Sequence, residues 1–262
     1  MSEKITSKNL NQVIRKNKEI RQEIGQCVML VRTTLNRMQV SSPPQLAIQL
    51  LRTYGLIQMP VDNPYLSGAI YVKEGKRIPF INTALPRANQ YYAAWHELYH
   101  ILFDAVSFDH LIEAEDTVEE RRAEYFASMM LLGNLASCFF ELPVNMDFRS
   151  KIYNFMSVFQ APYKAVLIAL YEMAAQMDNE ILMNKVKEHF DDTDRDMAEC
   201  FEKLGLDNTL VLPSYVVDVS SLHAKIRECI QERPELNYHK DNEQFLERIL
   251  KEIRLATGGA YA

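Results

Sequence analysis

The chain has 262 residues, 48% of them apolar and 24% charged, and a net charge of −6 at pH 7. That is apolar material for one large core or two modest ones, and it gives no general reason to expect nucleic-acid binding. No apolar run approaches the roughly 18 residues of a membrane-spanning helix, and the polar start Met1-Ser2-Glu3-Lys4 lacks the apolar core of a signal peptide.

Cys27, Cys138, Cys200 and Cys229 are scattered, with no Cys-x-x-Cys pair, and read as free thiols in a reducing compartment. The expected location is the cytoplasm. Residues 1 to about 40 read as a helix, with Leu10, Val13, Ile14, Ile20, Ile24, Val28 and Val31 near helical spacing. This N-terminal arm (1–41) is locally basic, with Lys4, Lys8, Arg15, Lys16, Lys18, Arg21, Arg32 and Arg37 against Glu3, Glu19 and Glu23. No binding motif accompanies the charge. It is read as the solvated face of a packing helix, not as a contact with nucleic acid or an acidic partner.

Ser41-Ser42-Pro43-Pro44 ends that helix, and a second starts at the prolines and runs through Leu46, Ile48, Leu50 and Leu51. From Gly55 the period changes. Leu56–Met59, Gly68–Val72 and Arg77–Asn82 are short β-type runs, and 68–72 with 77–82 around Gly75 predicts a hairpin. Pro79 cannot donate to a ladder, which predicts an edge or a bulge there. A small antiparallel sheet is therefore expected, either plain scaffold or an edge that holds an extended peptide.

Trp95-His96-Glu97-Leu98-Tyr99-His100 follows. Histidines spaced i, i+4 on a helix face the same way, one turn apart, and can grip one metal ion. Glu97, on the edge of that face, can reach a metal-bound water without taking a coordination position. Six histidines in 262 residues give such a string by chance on the order of once in a hundred chains of this size. Here Ala93, Ala94, Leu98, Ile101, Leu102 and Phe103 make the helix too apolar to be a solvated one. Two histidines leave zinc under-coordinated. Glu120, in the acidic first turn of a helix starting near Thr117, is the expected third ligand. Glu124, one turn on, is the carboxylate expected to accept a hydrogen bond from a ligand histidine. The alternative for either is a surface carboxylate paired with Arg121 or a lysine.

The run Arg77-Ile78-Pro79-Phe80-Ile81-Asn82, the His-Glu-x-x-His helix and Glu120-x-x-Ala123-x-x-Phe126-Ala127 resemble, in order and spacing, the ImmA/IrrE family of zinc-dependent peptidases. Phe159-Gln160-Ala161-Pro162-Tyr163-Lys164-Ala165-Val166 looks like the helix–turn–helix-forming segment that follows the metal helices there, so the resemblance covers roughly 42–175. It implies His96, His100 and Glu120 as zinc ligands and Glu97 as general base. It also implies a cytoplasmic endopeptidase that inactivates a helix-turn-helix repressor by one cut, inducing a mobile element or a stress regulon. Manganese or iron would accept the same ligands. Two departures stand out: Tyr99 where the family commonly has glycine, and Gly133 where it usually has proline.

After Ala175 the composition turns polar and acidic. Asp192-Thr193-Asp194 lacks the glycine and distal glutamate of a calcium loop and reads as a helix cap. Helices are expected over Met197–Leu204, ended by Gly205, and over 219–232 and 241–255. The region 176–262 is expected to be a mostly helical module that recognises a partner, regulates, or caps the core. His189, His223 and His239 read as structural or exposed. The whole predicts an α+β fold, a small antiparallel sheet on a mostly helical zincin-like core over 42–175. Tyr92, Tyr99, His110 and His189 are conceivable oxyanion stabilisers. The alternatives are a metal-binding anti-repressor that acts without cutting, or a metallohydrolase of another substrate class.

Overall fold

A computed structural model describes residues 5–36, 43–73, 75–104, 118–143, 145–192 and 196–256. The fold is α+β, mostly helical around one small sheet. Helix α1 (Leu10–Asn36) packs on the body with a solvated basic face, as read from the sequence. Leu10, Val13, Asn17, Ile24, Val28, Val31 and Leu35 recur at helical spacing and are buried, while Arg15, Lys18 and Arg21 stay exposed.

Helix α2 (Pro43–Thr53) opens on its two prolines. Strands β1 (Ile57–Met59), β2 (Gly68–Lys73) and β3 (Lys76–Asn82) follow, in spatial order β1-β3-β2. The hairpin forms as expected, with Lys73 opposite Lys76 and Gly75 at φ 75° in the turn. The sheet itself is mixed, not antiparallel, because β1 pairs parallel to β3. The connection at 60–67 carries the chain across β3, so β2 lands on the far side. Pro79 thus lies on the central strand, which corrects the edge assignment. It is tolerated because β1 pairing starts only at Phe80, so at Pro79 the strand has a neighbour on one side alone.

Asn82 organises that connection. Fully buried, it donates through Nδ2 to the carbonyls of Val61, Asn63 and Leu66 and accepts at Oδ1 from the amides of Val61 and Ala84. Asn82→Ala strands buried backbone groups of the loop and is expected to cost about 2–4 kcal/mol, read by chemical denaturation.

The central helix α3 (Arg87–Phe103) is buried along most of its length. Its partner α4 (Val118–Leu132) is fixed by Phe126, whose ring meets Trp95, Tyr99 and Phe103 at centroid distances of 6.1, 5.4 and 5.8 Å. Tyr99 therefore puts its bulk into the core. Gly133 leaves room for α1 to finish α4. A Cβ there would stand 2.5 Å from Arg32 Nη2, which donates to the Met129 carbonyl.

Helices α5 (Leu135–Glu141), α6 (Phe148–Phe159) and α7 (Tyr163–Gln176) continue the body. The expected helix–turn–helix segment is the α6–α7 corner, turned at Gln160 with φ 49°. A partly buried polar joint ties α7 to α4 and α1: Glu172 accepts from Tyr125 at 2.7 Å and from Asn17 at 3.0 Å. Helices α8 (Glu180–Phe190), α9 (Met197–Lys203), α10 (Ser220–Glu232) and α11 (His239–Ala256) complete the chain. Asp192 accepts from Arg149, faces His189, and donates its amide to the His189 carbonyl at the end of α8; Thr193 and Asp194 lie outside the described residues.

Residues 212–218 tie back to the core. Arg87 N–H donates to Leu212, Tyr215 N–H to Thr83, and Gln58 and Asp218 exchange bonds of 2.9 and 2.8 Å along β1. All four cysteines are free, and no helix among the described residues is long and apolar enough to cross a membrane.

Candidate metal centre

His96 and His100 leave α3 on one face, as their spacing requires, and α4 brings Glu120 opposite them. The two Nε2 atoms stand 3.1 Å apart. Glu120 turns one oxygen to each histidine, Oε2 at 3.2 Å from His96 and Oε1 at 3.5 Å from His100. Ligands held tetrahedrally about 2.05 Å from zinc stand about 3.3 Å from one another. The three side chains already have the spacing of a zinc coordination face. Among the described residues they are the sole group of three such side chains close enough to share an ion.

The protonation pattern also suits a metal. His100 Nδ1 lies 3.0 Å from Asp104 Oδ2. A carboxylate only accepts, so Nδ1 carries the proton and Nε2 keeps its lone pair toward His96 and Glu120. Burial, then the neighbouring His96 charge, lowers the His100 pKa and favours that neutral form. Burial would lower His96 too, but the bond to Glu120 and the charges of Glu97, Glu120 and Glu124 raise it to about 9. Glu120 is opposed by its own burial yet held below the usual carboxylate range by the two histidines.

Glu97 is 5% exposed, whereas the Glu120 side chain is 41% exposed, so the site meets solvent at Glu120. Burial pushes the Glu97 carboxyl up to about 7, against the pull of His96. A carboxylate poised near neutrality can take and return a proton.

Glu124 does not take the expected place. The carboxylate on His100 is Asp104, and Glu124 is paired with Arg121 at 2.6 Å, so the surface-pair alternative describes its bonding while its charge still acts on His96. Sequence reading passed over Asp104, although it stands i+4 from His100, the same spacing that joins the histidines. Asp104 is the C-cap of α3 in extended conformation, and Arg77 of β3 clamps that end with Nη1 3.1, 3.1 and 2.9 Å from the carbonyls of His100, Ile101 and Asp104. Asp104→Ala is expected to weaken zinc binding about 10–100-fold in a chelator competition, with the helix retained.

The oxyanion candidates are turned elsewhere. Tyr92 donates its hydroxyl to the Glu124 carbonyl at 2.6 Å, Tyr99 is in the core, and His189 stacks on Phe148; His110 lies outside the described residues. A cavity of about 530 Å³ is lined, among others, by Asn89, Tyr92, Arg121, Glu124, Met156 and Ile168, with Tyr92 one helical turn before His96 and Glu124 one turn after Glu120. No protein-family model, no curated protein and no solved structure matches this chain.

Proposed function

We propose that the protein is a zinc-dependent endopeptidase, with His96, His100 and Glu120 as ligands and Glu97 as general base. The observation that carries this is the convergence of His96, His100 and Glu120 at 3.1–3.5 Å beside a buried glutamate that titrates near neutrality. When bound, zinc acidifies a water and polarises a peptide carbonyl. Glu97 accepts the water's proton at its carboxylate and returns it to the departing amine. Asp104 holds the His100 tautomer, and Arg77 holds the helix end that carries both. The cavity beyond Tyr92 has the volume to accept side chains of an extended peptide.

The substrate class rests on the sequence resemblance to the ImmA/IrrE family: a helix-turn-helix transcriptional repressor, cut once in the cytoplasm. The test is to incubate the zinc-loaded protein with the helix-turn-helix protein encoded beside its gene. One discrete cut, abolished by chelation, is the expected result. A repressor that stays whole in a stoichiometric complex would replace cleavage by binding, and cleavage of unrelated substrates alone would reassign the class.

A further inference from the structure

We propose that Gly68 is a positioning residue for Glu97: the side chain that Gly68 lacks is the space in which the Glu97 carboxylate lies. The catalytic consequence rests on the base role given to Glu97 above, but the steric relation does not.

Gly68 is the first residue of β2, opposite Ile81 of β3. A Cβ placed on it would stand 2.6 Å from Glu97 Oε1, 2.9 Å from Cγ and 3.1 Å from Cδ. Those distances are well inside the roughly 3.5–4.0 Å at which non-bonded carbon atoms pack. The contact with Cγ matters most. A clash with the carboxylate tip alone could be relieved by a small rotation, whereas a clash at Cγ forces the side chain to leave its slot.

Backbone geometry offers no competing reason for a glycine. Gly55, Gly75 and Gly205 have positive φ, and Gly68 does not. Alanine fits such a strand position and is normally preferred there. What distinguishes Gly68 is its neighbour. Its place is fixed against β3, by the register with Ile81 and by the preceding Ser67 carbonyl, which accepts the Asn82 amide at 3.0 Å. Glu97 is held on α3 and is 5% exposed, so it cannot relieve the clash by swinging freely into solvent. An added methyl group must therefore move the carboxylate relative to the ligand triangle. A misplacement of about 1 Å is enough to cost on the order of 10²-fold in rate.

The test is a thermal-unfolding cycle on metal-free protein: wild type, Gly68→Ala, Glu97→Ala and the double variant. Gly68→Ala is expected to lower the Tm of the wild type by roughly 2–8 °C. It should lower nothing in the Glu97→Ala background, where Cγ, Cδ and Oε1 are gone. Equal lowering in both backgrounds, or none in either, overturns the proposal. Zinc-loaded Gly68→Ala should keep one ion per chain and its KM, and lose about 10²-fold in kcat. Unchanged turnover overturns the positioning role. If the wild type cuts no peptide, the peptidase reading fails, and the thermal cycle still decides whether Gly68 makes the Glu97 slot.

Discussion

Glu97→Gln is expected to leave zinc bound at one ion per chain and to lower the proposed peptide hydrolysis by about 10²–10⁴-fold. Glutamine keeps the volume of the side chain, which matters where Gly68 leaves a slot fitted to it and where only 5% of the residue is exposed. It removes the one property the chemistry needs, a carboxylate that titrates near neutrality in a buried place. The metal should be indifferent, because the ligand triangle is closed by His96, His100 and Glu120 without Glu97. Turnover and metal content measured on the same preparation check both halves. Loss of zinc would make Glu97 a ligand, and undiminished turnover would move the base elsewhere.

The second large effect is on metal affinity as a function of pH. His96 is raised to about 9 in the metal-free site and must give up that proton to bind zinc, while His100 is already biased to the neutral form. Apparent affinity is expected to fall about tenfold per pH unit below 9, with close to one proton released per zinc at pH 7. Titration calorimetry in buffers of different ionisation heat counts that proton. Stability runs the other way in the metal-free protein. A histidine whose folded pKa is raised stabilises fully below its unfolded value of 6.5 and loses that contribution as pH rises toward 9. Glu97, raised from 4.5 to about 7, favours its protonated form and likewise loses stabilisation as pH rises through that interval. His100, whose pKa is lowered, opposes this below pH 6.5, so the metal-free Tm should decline from about pH 6.5 to 9, and the gain in Tm on adding zinc should grow over the same range.

The legible parts of this molecule were those whose geometry is local. His96 and His100 share a face because helical period alone requires it, and α4 was readable from its acidic first turn and from Ala123, Phe126 and Ala127. Glu120 could be named because a zinc ion needs a third ligand and few carboxylates lay at the start of a helix. The hairpin at Gly75 was readable from its turn residues. What escaped depends on contacts between distant segments. Parallel pairing of β1 with β3 is decided by a loop that Asn82 holds from 16 to 21 residues away. Gly68 is ordinary in a strand until Glu97 is placed against it. Asp104 was passed over for Glu124 because it lies past the end of its helix, where helical spacing stops being a guide, yet its reach to His100 is made certain by the Arg77 clamp. The segment 212–218 carries no periodic pattern, since its bonds run to Gln58, Thr83 and Arg87.

Zinc stoichiometry and coordination in solution test the centre most directly. Metal analysis with X-ray absorption on the purified protein should show one zinc per chain, with two imidazole nitrogens at about 2.0 Å and oxygen ligands completing the shell. His100→Ala and Glu120→Ala should each lose the ion during dialysis. A protein that binds no metal, or whose zinc survives both substitutions unchanged, would contradict the assignment of His96, His100 and Glu120 as its ligands.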